Sequence, residues 1–139
     1  MINLNTILNR IECEIENSIL KFIEENGIPK TLGIYCCPWS GWLTTNFNLS
    51  EDEQNCPDFE FADFNFIELP ELEEEYQNDN PVFKIGDNSI NLDIEALGDE
   101  AINEFIFNSL KPIATKIKEN KRLEVVLQML DSQYVEMIQ

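Results

Sequence analysis

The chain has 139 residues, 43% hydrophobic and 26% charged, a composition that suits one globular domain with its own core and argues against disorder. Its net charge of −18 argues against nucleic acid as a direct ligand, because phosphates are repelled. Histidine is absent, which removes Ser-His-Asp and Cys-His catalysis and histidine-ligated metal sites, and no apolar run approaches the roughly 20 residues that span a bilayer.

Residues 4–26 read as an amphipathic helix. Leu4, Ile7, Leu8, Ile11, Ile15, Ile19, Phe22 and Ile23 follow the spacing of one apolar stripe. Asn3 or Asn5 can cap its start, Gly27 can end it in a left-handed conformation, and Pro29 blocks its resumption. The opening MINLNTILNR soon meets Glu12, Glu14 and Glu16, so no secretory leader is expected and the cytoplasm is the expected location.

The runs TLGIYCC and WLTTNFN, rich in β-branched and aromatic residues, flank the turn-forming PWSG and predict a β-hairpin over 31–48. Trp39 and Trp42 fall at or beside its turn, where a tryptophan either packs over the end of the core, the commoner outcome, or stands out as an anchor for a partner. In DFEFADFNFIEL, residues 58–69, Phe59 and Phe61 share one face, and Phe64 and Phe66 share one after a step at Ala62–Asp63. Such a shift marks a bulge or two short strands, with the phenylalanines inward and Glu60, Asp63, Asn65 and Glu68 outward. Beyond Pro70, Glu71 to Glu75 read as a short acidic turn or helix start.

Helical spacing returns at Asp99, with Ile102, Phe105, Ile106, Leu110, Ile113 and Ile117 on one stripe. Pro112 is expected to kink this helix or divide it. Residues 121–138 fit two patterns. Leu123, Val126, Leu127, Leu130, Tyr134 and Ile138 match a helix, the preferred reading, while LEVVLQML before Asp131–Ser132 also suits a hairpin. Lys111, Lys116, Lys118, Lys121 and Arg122 form a basic cluster read as a solvated helix end, although it can also bind an anion or neutralise part of an acidic face. The fold class is therefore α+β: an N-terminal amphipathic helix on an antiparallel sheet that includes the 31–48 hairpin, with C-terminal helices, in a single domain over 1–139.

Cys13, Cys36, Cys37 and Cys56 lack paired metal-ligand spacing, and free, reduced thiols are expected. Phosphate loops and the HExxH and GxSxG motifs are missing, and neither 51–55 nor 87–95 has the EF-hand order of calcium ligands. No cofactor or metal is expected, and catalysis is not.

The charge is concentrated. Residues 1–30 carry −2 and residues 84–139 carry −4, whereas 31–83 hold twelve acids without one Lys or Arg. This field destabilises the compact state through self-repulsion. Large aromatic residues interleaved with the acids suit an interface that steers a cationic partner and then holds it. Trp39, Trp42, Asp58, Glu60, Asp63, Glu68, Glu71, Glu73, Glu74 and Glu75 are the candidate partner-binding residues.

The helix-first layout, GIYCCPWSGWLTTNFN, the acidic-aromatic DFEFADFNFIELPELEEEY and the overall acidity together resemble small bacterial immunity proteins of polymorphic or contact-dependent growth-inhibition toxin systems. No residue's role carries over by motif. What the resemblance implies is one-to-one blocking of a basic toxin domain, often a nuclease whose own site must bind phosphate. The alternatives are a DNA-mimic inhibitor of a nucleic-acid-binding protein, an acidic adaptor subunit, and an enzyme using two carboxylates of separated pKa.

Overall fold

The periodic first segment forms the helix α1, Leu4–Asn26, in a computed structural model that describes residues 1–78 and 80–139. Asp79, one of the twelve clustered acids, lies outside the described residues. The Asn3 side chain accepts the Thr6 N–H at 3.2 Å to cap α1, and Gly27 closes it at φ +97° with its N–H on the Ile23 carbonyl. Ahead of it, the two residues of β1, Ile2–Asn3, are extended.

The expected hairpin is present. β2, Thr31–Cys37, and β3, Trp42–Asn48, pair antiparallel from Thr31↔Asn48 to Cys37↔Trp42. A 3₁₀ turn at Cys56–Asp58 precedes β4, Phe61–Glu68, which pairs with β3. Next come the acidic helix α2, Pro70–Tyr76, the short strands β5, Val82–Ile85, and β6, Asn88–Asn91, and the single-turn α3, Ile94–Leu97. The second long helix, α4, Glu100–Lys121, runs through Pro112 without dividing. Proline's missing donor costs one intrahelical bond, and Pro112 lies on the exposed side while Ile113, Ala114 and Ile117 hold the helix on the core.

The helical reading of 121–138 gives way to two strands, β7, Glu124–Met129, and β8, Val135–Met137, antiparallel to each other. β7 lies parallel to β2, giving a five-stranded sheet in the order β4-β3-β2-β7-β8, and β1-β5-β6 form a second, three-stranded sheet. The chain thus adopts an α+β fold.

The apolar stripes of α1 and α4 pack on one face of the five-stranded sheet, against Leu32, Ile34, Cys36, Leu43, Phe47, Val125, Leu127 and Met129. Phe22 of α1 is fully buried and stacks on Phe47 at 4.2 Å, with Phe61 and Phe64 edge-on to it. The four phenylalanines of 58–66 therefore do not pair as their spacing predicts. Phe61 and Phe64 turn to the helices, Phe59 is buried in a smaller cluster with Tyr35, Cys56 and Val126, and Phe66 is 53% exposed. The cause is local: the 3₁₀ turn sets Phe59 apart from the strand, and a bulge opposite Thr45–Phe47, with Asp63 at φ +52°, shifts the phase of β4.

Candidate functional site

The helices leave the other face of the five-stranded sheet to Thr31, Gly33, Tyr35 and Cys37 of β2, to Trp42, Thr44, Asn46 and Asn48 of β3, and to their partners across the sheet. One half of this face is covered by the segment 49–60, which contains no strand or α-helix. Carboxamides hold that segment down. Asn48 donates to the Glu53 carbonyl at 2.9 Å and accepts the Glu60 N–H at 3.1 Å. Gln128 of β7 accepts the Cys56 N–H and donates to the Asn55 side chain, both at 2.8 Å. Beneath them Gly33 leaves room for the covering groups: a Cβ there would lie 2.7 Å from Cys56 Sγ and 2.8 Å from the Phe59 ring. The fully buried Asn46 reaches the Gly33 carbonyl and accepts the Asp63 N–H at 2.7 Å, which fixes the bulge of β4.

The other half is not covered by this segment and carries an aromatic row across three strands, buried at its inner end and exposed at its outer. Tyr35 meets Trp42 edge-on at 5.7 Å, and Trp42 lies 5.8 Å from Phe66 at an interplanar angle of 32°. Tyr35 is buried at the inner end of the row, Trp42 is half-buried and Phe66 is exposed. Burial first, then the charge of Asp131, hold the Tyr35 hydroxyl above the usual phenol range. Trp39, in the hairpin turn, stays out of the core and is 36% exposed.

The ten candidate binding residues fall into two groups. Three have work inside the chain. Glu60 Oε1 accepts the N–H groups of Leu49, Ser50 and Glu51, each at 2.9 Å, and these bonds hold its carboxyl below the usual carboxylate range. Glu71 takes Arg10 in a two-pronged pair at 2.8 and 2.9 Å, which likewise lowers its pKa. Glu75 is buried; burial alone would raise its pKa, but the Met1 amine at 2.5 Å and the Val82 N–H at 3.0 Å prevail and lower it.

The other five acids face outward, although Asp58 also accepts the Asn55 side-chain N–H at 2.9 Å. Asp58, Asp63, Glu68, Glu73 and Glu74 are exposed, and among the described residues no ion pair reaches any of the five. Trp42, Glu68 and Glu73 converge on one cavity together with Phe66, whereas Glu74 lines a different one beside Met1 and Arg10. The basic cluster does not neutralise the acidic middle: Lys111 pairs with Glu136 and Lys116 with Glu12. Phe66 and Tyr35 are the residues that sequence reasoning missed. The step at Ala62–Asp63 was the available signal for Phe66, since a phase shift makes two sets of phenylalanines compete for one core face.

No helix among the described residues is long and apolar enough to cross a membrane. No family model matches the chain, and neither curated proteins nor solved structures offer a match.

Proposed function

We propose that the chain is a non-catalytic inhibitor that binds a cationic protein through the uncovered half of its sheet, as an immunity protein blocks its toxin. One observation carries this reading. An aromatic row, Tyr35–Trp42–Phe66, runs from a buried end at Tyr35 to an exposed end at Phe66 within the stretch of sequence that has twelve acids and no Lys or Arg. Exposed aromatic surface supplies contact area at low entropic cost, and unpaired carboxylates around it favour a basic partner and speed encounter. Acids alone would suit a DNA mimic that binds many basic proteins. Aromatic rings at a fixed spacing favour a single partner shaped to them.

The test is to look for a toxin-domain gene beside this protein's gene and to co-express the chain with any such domain found. The chain is expected to restore growth and to bind the purified domain with an affinity that falls steeply between low and high salt. Equal binding to unrelated basic proteins such as histones would favour the DNA mimic. Absence of both rescue and binding would refute the proposal.

A further inference from the structure

We infer that the cavity beside Trp42 is a receptor for a single arginine side chain. The inference rests on the reading of the uncovered sheet face as the binding surface and names what enters it first.

The cavity is about 290 Å³ and is lined by Ser40, Gly41, Trp42, Phe66, Glu68, Pro70 and Glu73. It lies at the lower end of the roughly 300–1,000 Å³ of clefts that hold drug-sized ligands, which leaves room for one long side chain. Its walls are set by backbone packing. The Leu69 N–H donates to the Gly41 carbonyl at 2.7 Å, and Gly41 stands at φ +67°. A Cβ at Gly41 would come within 2.5 Å of the Leu69 carbonyl oxygen and 2.9 Å of Glu73 Cβ. The hairpin turn is thus locked against the start of α2, and the cavity exists before any ligand arrives.

Two kinds of group meet there. Trp42 and Phe66 present ring surface, and Phe66, which packs on Trp42 on one side, remains 53% exposed. Glu68, directly opposite Trp42 in the β3–β4 register, and Glu73 on α2 bring carboxylates, and among the described residues neither pairs with a Lys or Arg. A hard metal ion is poorly suited, since it wants oxygen on several sides and the rings offer none. An ammonium can approach a ring face, but it is a compact charge that holds its water strongly. A guanidinium is flat and weakly hydrated; it stacks on an indole or phenyl face while its fork of N–H donors reaches carboxylates at its edge. Aromatic walls with two acids lining the same cavity favour that shape.

The probe is N-acetyl-arginine amide, with N-acetyl-lysine amide as control, titrated into the full chain and followed by NMR at the two indole N–H resonances. The arginine amide is expected to shift Trp42 far more than Trp39 and to bind at least several-fold more tightly than the lysine amide. The paired substitution Glu68→Gln and Glu73→Gln, which keeps the shape of both side chains, is expected to weaken binding about fivefold or more. Phe66→Leu, at an exposed position, should do the same, the loss matching about one cation–π contact. No shift at Trp42, or equal shifts from both amides that survive both sets of substitutions, would overturn the inference. These outcomes separate the two readings. An arginine site in a chain that neutralises no toxin leaves the cavity standing without the proposed function. Toxin binding untouched by Phe66→Leu and the glutamine pair leaves the function standing with another site.

Discussion

Gly33→Ala tests whether the segment 49–60 is packed down on the sheet. At this residue φ is ordinary for a strand, so backbone strain plays no part and the substitution should otherwise stabilise by about 0.4–1 kcal/mol through the unfolded chain. Against that stands the new methyl group, 2.7 Å from Cys56 Sγ and 2.8 Å from Phe59 Cε2, well inside van der Waals contact. Both neighbours are buried, and their segment is fastened by the Asn48 and Gln128 carboxamides, so neither can swing away freely. Overpacking of this kind costs about 1–3 kcal/mol and outweighs the entropic gain. The expected net is a loss of about 1–2 kcal/mol in urea denaturation followed by tryptophan fluorescence, with an unchanged m-value. Cys56→Ala removes one of the two clashing atoms. In that background Gly33→Ala should cost clearly less, giving a coupling of about 0.5 kcal/mol or more in the double-mutant cycle. A neutral Gly33→Ala that adds independently to Cys56→Ala would refute the packing of this segment on β2.

Glu60 should act as the anchor of residues 49–51 only while ionised. Its folded-state pKa is lowered by three backbone donors, so the anchoring is complete above the usual carboxylate range and is lost as pH falls through the lowered value. Amide hydrogen exchange at Leu49, Ser50 and Glu51 should therefore rise, after correction for intrinsic rates, on acidification and in Glu60→Ala, and unaltered protection in the variant would contradict the assignment. The thiols should separate cleanly by reactivity. Cys13 is exposed, whereas burial raises all three of the others, Cys56 to about 12 and Cys36 further still. A disulfide reagent at pH 8 should label one thiol quickly and three only at the rate of unfolding, and fast labelling of a second would count against the core described for β2.

Legibility in the sequence followed the number of faces that each element buries. α1 buries one stripe and carries a cap at each end, so its period and its limits could be read directly. β7 was misread for the opposite reason. Val125, Leu127 and Met129 face the helices while Val126 is buried in the smaller cluster on the other side, so both faces are partly apolar and the alternation that marks a strand is erased. What remains is an apolar run that matches helical spacing equally well. β5 and β6 are four residues each, and β6, Asn-Ser-Ile-Asn, is exposed throughout, so neither leaves a pattern. The acidic stretch announced its charge but not its division of labour. Glu71 and Glu75 are distinguished from Glu68 and Glu73 by partners as distant in sequence as Arg10 and the Met1 amine, which only the fold brings together, and Glu60 by the backbone of a loop that its composition does not define.

The two faces of the five-stranded sheet are satisfied by different means, and that difference bears on where binding residues can reside. Helix-side stability comes from burying large apolar side chains, with one buried polar pair, Ser18 and Thr45 at 2.6 Å, inside it. On the opposite face, amide side chains clamp a covering segment over one half, and the other half is left to aromatic rings and acids. Glu68, Glu73 and Phe66 are exposed and contribute little to the core, so their replacement leaves the helix-side packing untouched. Their mutual repulsion in the free chain is a cost that solvent and salt reduce, since all the acids concerned are open to water. The same acids retain their full effect on an approaching basic protein at low salt, where steering acts before contact. A surface that can be altered residue by residue without unfolding its scaffold suits the matching of one partner, and on the proposed reading Phe66, Glu68 and Glu73 form that surface.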